Sequence, residues 1–342
     1  MVDLNQIRAN AVSIRSKLSQ GTLLCAVVKA NAYGLGARRV VSALNDCADF
    51  FAVATLAEAR EVVPCTERPV LILGPVLGED LKESDAVLHF SVSSAEEIEY
   101  LASALPEPLC LNLHLAFDSG MNRLGVKEAE LDIVLKLIAS HPNLNLYGFF
   151  THFCDTESVF YRACKARFLQ AAKAVKSIFP DVITHGCASS TYSDNAFDMV
   201  RPGLSLYGFG DLLTEPCAAM TASVLLVKDL AAGESVGYGC RYTAETQRKI
   251  AVLSCGYADG YRRELGNTYH VLISGRKCAV LGNICMDMMM VDVTNCSCRA
   301  GDCAVLFSRE LPLRRRAQQC GTIEYELLCG IGARVERVYL NP

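Results

Sequence analysis

Short apolar runs alternate with longer amphipathic stretches through the first part of the chain. From Asn5 to Leu18 the apolar residues Ile7, Ala11, Ile14 and Leu18 recur at helical spacing and predict an opening amphipathic helix. The run "CAVVK" at 25–29 then predicts a first strand that ends in Lys29. Further apolar runs follow: "FFAVAT" at 50–55, "PVLILG" at 69–74, "AVLHFSV" at 86–92, "LNLHLAF" at 111–117, "YGFFTHF" at 147–153, "VITHGC" at 182–187 and "MVRPGLSLYG" at 199–208. Between them, "SAEEIEYLASAL", with its serine cap and early glutamates, and "FYRACKARFLQAAKAVKSI" predict helices.

Counting the first strand, this makes eight β-α units and predicts an α/β fold, a (β/α)8 TIM-like barrel over 5–215. A doubly wound sheet shows the same alternation and is the lesser alternative. Beyond Pro216 the helical rhythm stops. Segments such as "SVLLVKDL", "KIAVLSCGYADG", "HVLISGRKCAVLGNICMDMMMVDV" and "DCAVLF" predict a C-terminal β-rich domain over 216–342, which residues 1–4 are candidates to join.

Composition narrows the class. A chain of 342 residues with 51% hydrophobic and 20% charged residues can bury a large core, which disfavours disorder. No apolar stretch reaches the roughly 18 residues that cross a bilayer, so no membrane contact is expected of this segment, and with no signal-like start the cytoplasm is the default location. A net charge of −4 leaves no basic footprint for nucleic acid; the cluster Arg314-Arg315-Arg316 reads as a solvated face. The 17 cysteines are scattered, odd in number and without C-x-x-C pairs, so they predict neither a metal site nor a disulfide framework but small reduced core residues.

Lys29 carries the first chemical signal. At the carboxyl end of a barrel strand it faces the mouth where such barrels act. A partly desolvated amine deprotonates more easily and can form an imine with an aldehyde, although an isolated strand-end lysine more often snorkels to water. Its surroundings decide between these. "VVKANAYGLG" at 27–36 resembles the pyridoxal-phosphate lysine signature of the alanine racemase family. The resemblance recurs in order along almost the whole chain: "FDSGMNRLGV" at 117–126, "FFTHF" at 149–153, "MVRPGLSLYG" at 199–208, "SVGYGCRYTA" at 235–244, "GYADG" at 256–260 and "ICMD" at 284–287.

The resemblance implies an amino-acid racemase, an isomerase, that interconverts L- and D-alanine with pyridoxal 5'-phosphate held by Lys29. Racemisation needs acid–base groups on both faces of Cα, and the residue matching the family's opposed base is Tyr238. Phenols titrate near 10, so a tyrosine base needs cationic help; His152 and Arg201 match the family residues that provide it. Arg201 is also implied at the pyridine nitrogen. Taken singly, His152 reads as a core histidine and Arg201 as a salt-bridged surface residue. Tyr33, Ser190 and the backbone amides of Gly203 and Leu204 match the phosphate contacts, Arg123 the residue that meets the cofactor phenolic oxygen and substrate carboxylate, Met286 a backbone amide toward that carboxylate, and Tyr257 the entry. In the family, Tyr238, Tyr257 and Met286 come from the second subunit, which implies a homodimer with shared active sites.

Three positions depart from the family pattern. Ala116 stands where a carbamylated lysine is frequent, which leaves Asn112 or a bound anion as candidates to orient Arg123. Ala333 replaces a tyrosine in "GARVER", and Ser189 replaces an asparagine beside Ser190. The Ala333 change and the short N-terminus keep open a serine or mixed serine/alanine racemase, as in the cytoplasmic part of a membrane-anchored protein. A basic-amino-acid decarboxylase and a cofactor-binding homeostasis protein fit less well, because the first lacks "VGYG" and "ICMD" and the second lacks the β domain.

Overall fold

Continuous apolar runs suit strands covered on both faces, and the computed structural model closes them into a parallel barrel. It describes residues 1–76, 78, 87–104, 110–154, 158–189, 197–209 and 214–341. After β1 (Val2–Asp3), the barrel strands are β2 (Leu23–Val27), β3 (Phe50–Val53), β4 (Val70–Ile72), β5 (Leu88–Val92), β6 (Leu111–Ala116), β7 (Leu144–Phe150), β8 (Ile183–Cys187) and β9 (Met199–Val200), paired in chain order with β9 returning to β2. Every residue of β3 and β5 is buried. The barrel expected from the alternation is therefore present, and the doubly wound sheet is set aside.

Two strands end earlier than the apolar runs suggest, and both differences shape the mouth. β7 stops at Phe150, which puts Thr151 and His152 beyond the ladder. β9 has two residues because Pro202 follows Arg201 and has no N–H to donate. Arg201 and His152 thus both stand at the carboxyl rim.

Caps and a buried amide hold the surrounding helices. The helix Ala95–Ala104 starts after Ser94, whose Oγ accepts the Glu97 N–H, and Val159–Ile178 starts after Ser158, whose Oγ accepts from Phe160 and Tyr161. On the first helix, Leu4–Arg15, the buried Asn10 donates to the carbonyls of Leu206 and Glu215 and accepts the Glu215 N–H.

The chain divides into two compact units: Asn5–Ala32 with Gly36–Glu215, and Met1–Leu4 with Tyr33–Leu35 and Pro216–Pro342. The second unit is built on β10 (Met220–Leu230), the hairpin β11 (Ser235–Val236) and β12 (Tyr242–Thr243), then β13 (Arg248–Leu253), β14 (His270–Ile273), β15 (Arg276–Leu281), β16 (Met289–Asp292) and β17 (Cys303–Phe307); β18 (Tyr339–Leu340) pairs with β1. Six of these close a barrel in the order β10-β13-β16-β15-β14-β17. Along Met220–Leu225 buried and exposed residues alternate, as one-sided strands require.

The β-rich unit also carries two helices, Leu313–Gln319 and Glu324–Cys329. Two expectations fail here. Arg314 and Arg315 are exposed but Arg316 is buried, because it falls on the inner face of the first of these helices, so the arginine cluster is not one solvated face. The cysteines among the described residues are free, yet Cys110, Cys154, Cys240, Cys303 and Cys329 are exposed rather than packed in a core. No helix among the described residues is long and apolar enough to cross a membrane.

Asn10→Ala removes the side chain that pairs with the Leu206 carbonyl and with the backbone of Glu215. Urea unfolding should show a loss of about 2–4 kcal/mol, and a change below about 0.5 kcal/mol would mean that water replaces the amide.

Candidate active site

Lys29 opens a turn of unusual hand. Ala30, Asn31 and Ala32 have φ of 53°, 54° and 52°, and Tyr33 continues at 54°, so four consecutive non-glycine residues are left-handed. Each costs roughly 1–2 kcal/mol of backbone strain, and the surroundings hold the turn in place. Glu58 accepts the Ala30 N–H at 2.8 Å, the Asn31 side chain accepts the Ala37 N–H at 2.8 Å, and Val28 accepts from Ala32. The turn fixes the exit of the chain directly after the lysine. Tyr33 at its end is buried and packs on Tyr325, with ring centroids 5.6 Å apart.

Around Lys29 the barrel rim gathers cations. His152 has its pKa lowered to about 4, first by desolvation and then by Arg201, Arg123 and Lys29, while its solvent-reached face screens part of that effect. These four predicted residues therefore share one electrostatic neighbourhood. Arg201 is buried, donates to the Thr151 carbonyl at 2.8 Å and to Nδ1 of His185, and lies 5.2 Å from the centre of the Phe150 ring. A guanidinium keeps its proton, so both contacts are donated by arginine to neutral acceptors.

The bond to His185 opens a chain that the sequence reading missed. His185 Nε2 lies 2.8 Å from His114 Nδ1, and His114 Nε2 lies 2.9 Å from His89 Nδ1. His89 then meets the Asn112 amide at 3.3 Å, and Asn112 joins the exposed Asn145. β7 separates the strands of His114 and His185, so their rings meet inside the barrel. Gly148 on β7 makes this possible, since a Cβ there would lie 2.2 Å from His114 Nδ1. Because Arg201 donates to His185 Nδ1, the hydrogen of His185 must sit on Nε2 toward His114 Nδ1, which places the His114 hydrogen on its own Nε2. Burial is the main cause that keeps all three imidazoles neutral, with His89 lowered to about 4 and His114 and His185 well below the ordinary histidine value. Histidines in otherwise apolar strands, "VLHFS", "LNLHLA" and "VITHG", were the available signal.

The loop that carries Arg123 is built on Asp118. This buried carboxylate accepts the N–H groups of Gly120 and Asn122 and pairs with Lys127 at 2.6 Å. Gly125 has φ of 113°, and a Cβ there would lie 2.7 Å from the Asp118 nitrogen. Arg123 itself is exposed. Asn112 does not orient it: Asn112 is the second residue of β6, at the opposite strand end from the loop, and its amide is engaged with His89 and Asn145. At the expected phosphate site, the Gly203 N–H donates to Ser189 Oγ at 2.9 Å, while Leu204 opens a short 3-10 turn to Tyr207. Ser190 lies outside the described residues.

In the second unit, Tyr238, Tyr257 and Met286 come together. With Gly237, Cys285, Asp287 and Met288 they line a cavity of about 710 Å³. Tyr238 is 73% exposed, Met286 52% and Tyr257 44%, a dense apolar patch for a folded surface. Their backbones are nevertheless held: Asn283 donates to the Tyr238 carbonyl, Cys285 accepts the Tyr257 N–H, and Arg334 bridges Asp259 and Asp287 at 2.7 Å to each. The Met286 N–H has no acceptor among the described residues. Ala333 beside Arg334 is exposed.

Comparison with known proteins accounts for both units. The model "Alanine racemase, N-terminal domain" matches residues 2–211 and "Alanine racemase, C-terminal domain" matches 217–339. The alanine racemase of Geobacillus kaustophilus is 35% identical over 99% of this chain and 94% of its own length, and the biosynthetic alanine racemase of Pseudomonas aeruginosa is 35% identical over 99% and 98%. Among solved structures, the Pseudomonas aeruginosa enzyme aligns with a TM-score of 0.87 at 34% identity over 99% of this chain and 98% of its own, and alanine racemase from Streptomyces coelicolor with 0.94 at 29% over 100% and 97%. Nothing in these comparisons favours the serine racemase or decarboxylase readings.

The histidine chain makes stability depend on pH. Below about 6.5 the unfolded chain protonates these imidazoles while the fold keeps them neutral, so stability falls with falling pH, down to about 4 for His89. Each contributes a slope of up to about 1.4 kcal/mol per pH unit. His89→Gln should flatten the acid slope of the unfolding free energy by about one proton; an unchanged slope would show that His89 is already protonated in the fold.

Proposed function

The chain belongs to the alanine racemase family of isomerases, and from that premise we propose that it interconverts L- and D-alanine with pyridoxal phosphate, using Lys29 and Tyr238 of the partner subunit as opposed proton carriers. The observation that carries this reading is the cationic rim at which Lys29, Arg123 and Arg201 surround a neutral His152. A small amino acid brings a carboxylate that such a rim attracts, and Arg123 is the exposed cation free to turn toward it.

The residues fit the cofactor. Lys29 offers an amine, Arg201 a fixed guanidinium, Tyr33 a hydroxyl, and Leu204 an N–H at the start of its turn, where no partner lies within the turn. Ser190 is the serine we assign to the phosphate, since Ser189 is engaged with Gly203 and Ser205. When bound, pyridoxal phosphate withdraws electrons from Cα as its proton leaves. Arg201 would donate to the ring nitrogen without surrendering a proton, and the bonds to Thr151 and His185 set its direction. Lys29 would take or return the Cα proton on one face, and Tyr238 of the partner subunit on the other. His152, held neutral beside Arg201, would pass the influence of that charge to the phenol.

The exposed apolar cluster of the second unit supports a homodimer. The exposed cluster of Tyr238, Tyr257, Met286 and Met288 loses its water only when another surface covers it. In the dimer, Met286 would direct its N–H to the substrate carboxylate and Tyr257 would narrow the entry.

Lys29→Ala should abolish racemisation. Tyr238→Phe should lower kcat/KM by about 10²–10⁴ and leave Cα exchange from D2O strongly unequal between the two enantiomers; equal residual exchange would overturn the two-base assignment. Mixing and refolding the two inactive variants should restore activity in about a quarter of the sites, because a mixed dimer carries one intact pair. Failure to complement would overturn the shared site.

A further inference from the structure

A second buried arginine has no assigned role. Arg316, on the helix Leu313–Gln319, is 1% exposed, and none of its three guanidinium nitrogens has a hydrogen-bond partner among the described residues. The hydroxyls of Tyr261 and Tyr269, both buried, are likewise without partners. The guanidinium carbon lies 5.1 Å from the Tyr261 ring centre and 5.2 Å from that of Phe307. All these groups belong to the second unit.

An arginine cannot escape its charge by losing a proton, and an isolated buried charge costs several kcal/mol even after relaxation. The two ring faces return at most about 2 kcal/mol each. Compensation through protein side chains is poor, because among the described residues the ionisable groups that interact with Arg316 are Tyr261, Cys255, Cys320 and Tyr269, and burial pushes every one of them toward its neutral form. A carboxylate of a partner subunit cannot reach a side chain that presents no surface. What remains is a small anion from solution. We propose that Arg316, with the hydroxyls of Tyr261 and Tyr269, holds a chloride-sized monovalent anion inside the β unit. Guanidinium N–H groups and phenol O–H groups are all donors, and a halide accepts from several donors at once without needing a fixed geometry. The exposed Arg315 adds positive potential near Tyr269. The role is structural: the anion would neutralise the charge that joins the helix to the barrel wall at Phe307.

Thermal unfolding of the full-length protein at constant ionic strength, with gluconate replaced stepwise by chloride or bromide, tests the proposal. The expected result is a saturable rise in Tm of several degrees. Arg316→Leu should remove the rise and be at least as stable as the native protein in gluconate alone. Tyr261→Phe, which keeps the ring, should shift the midpoint to several-fold higher halide concentration and covers the case in which Arg316→Leu does not fold. Crystals grown in bromide should show anomalous density at the guanidinium. A halide response that persists in Arg316→Leu, a native protein indifferent to halide, or only water at Arg316 in the bromide crystal would each overturn the proposal.

Discussion

A guanidinium that cannot lose its proton lies buried where the parallel barrel ends, and much of the surrounding structure accommodates that one charge. Arg201 donates to a carbonyl and an imidazole rather than to a carboxylate, so its positive potential is directed without being neutralised by those contacts. The same potential helps keep His152 and the buried histidines uncharged. The resulting run of neutral rings reaches from the rim to the amino end of the barrel, and its direction is dictated by the only member that can never accept a proton.

Close packing then fixes details that have no chemistry of their own. β7 must carry a glycine at 148 because His114 occupies the space a side chain would fill. Pro202 ends β9 after two residues, which leaves Arg201 at the rim. The left-handed turn after Lys29 is costly in isolation and is retained by Glu58 and Asn31. In the second unit, Arg334 ties the loops of Tyr257 and Met286 through two aspartates, which steadies side chains that otherwise face water.

The two buried arginines form a natural contrast. Arg201 is surrounded by acceptors because the barrel rim supplies carbonyls and imidazoles, whereas Arg316 sits among donors and aromatic faces. Burial of a charge is thus met in two ways within one chain, by directed hydrogen bonds in one unit and, on our proposal, by a bound anion in the other.

Periodicity alone was enough for the alternation of strands and helices, for the change of character near Pro216, and for the position of Lys29 at a strand end, because side chains repeat every two or 3.6 residues and write that repeat into the chain. Ordered motifs brought Arg123, His152, Arg201 and Tyr238 to notice for the same reason: each is a local string. Tertiary structure decided what local strings cannot express. The joining of His89, His114 and His185 depends on strands distant in sequence meeting inside a closed barrel. The burial of Arg316 amid charged neighbours depends on which face of a short helix turns inward. The hand of the turn after Lys29 depends on Glu58, which lies far along the chain. These are properties of contact across the fold, and a residue carries no record of a neighbour it meets only after the barrel has closed.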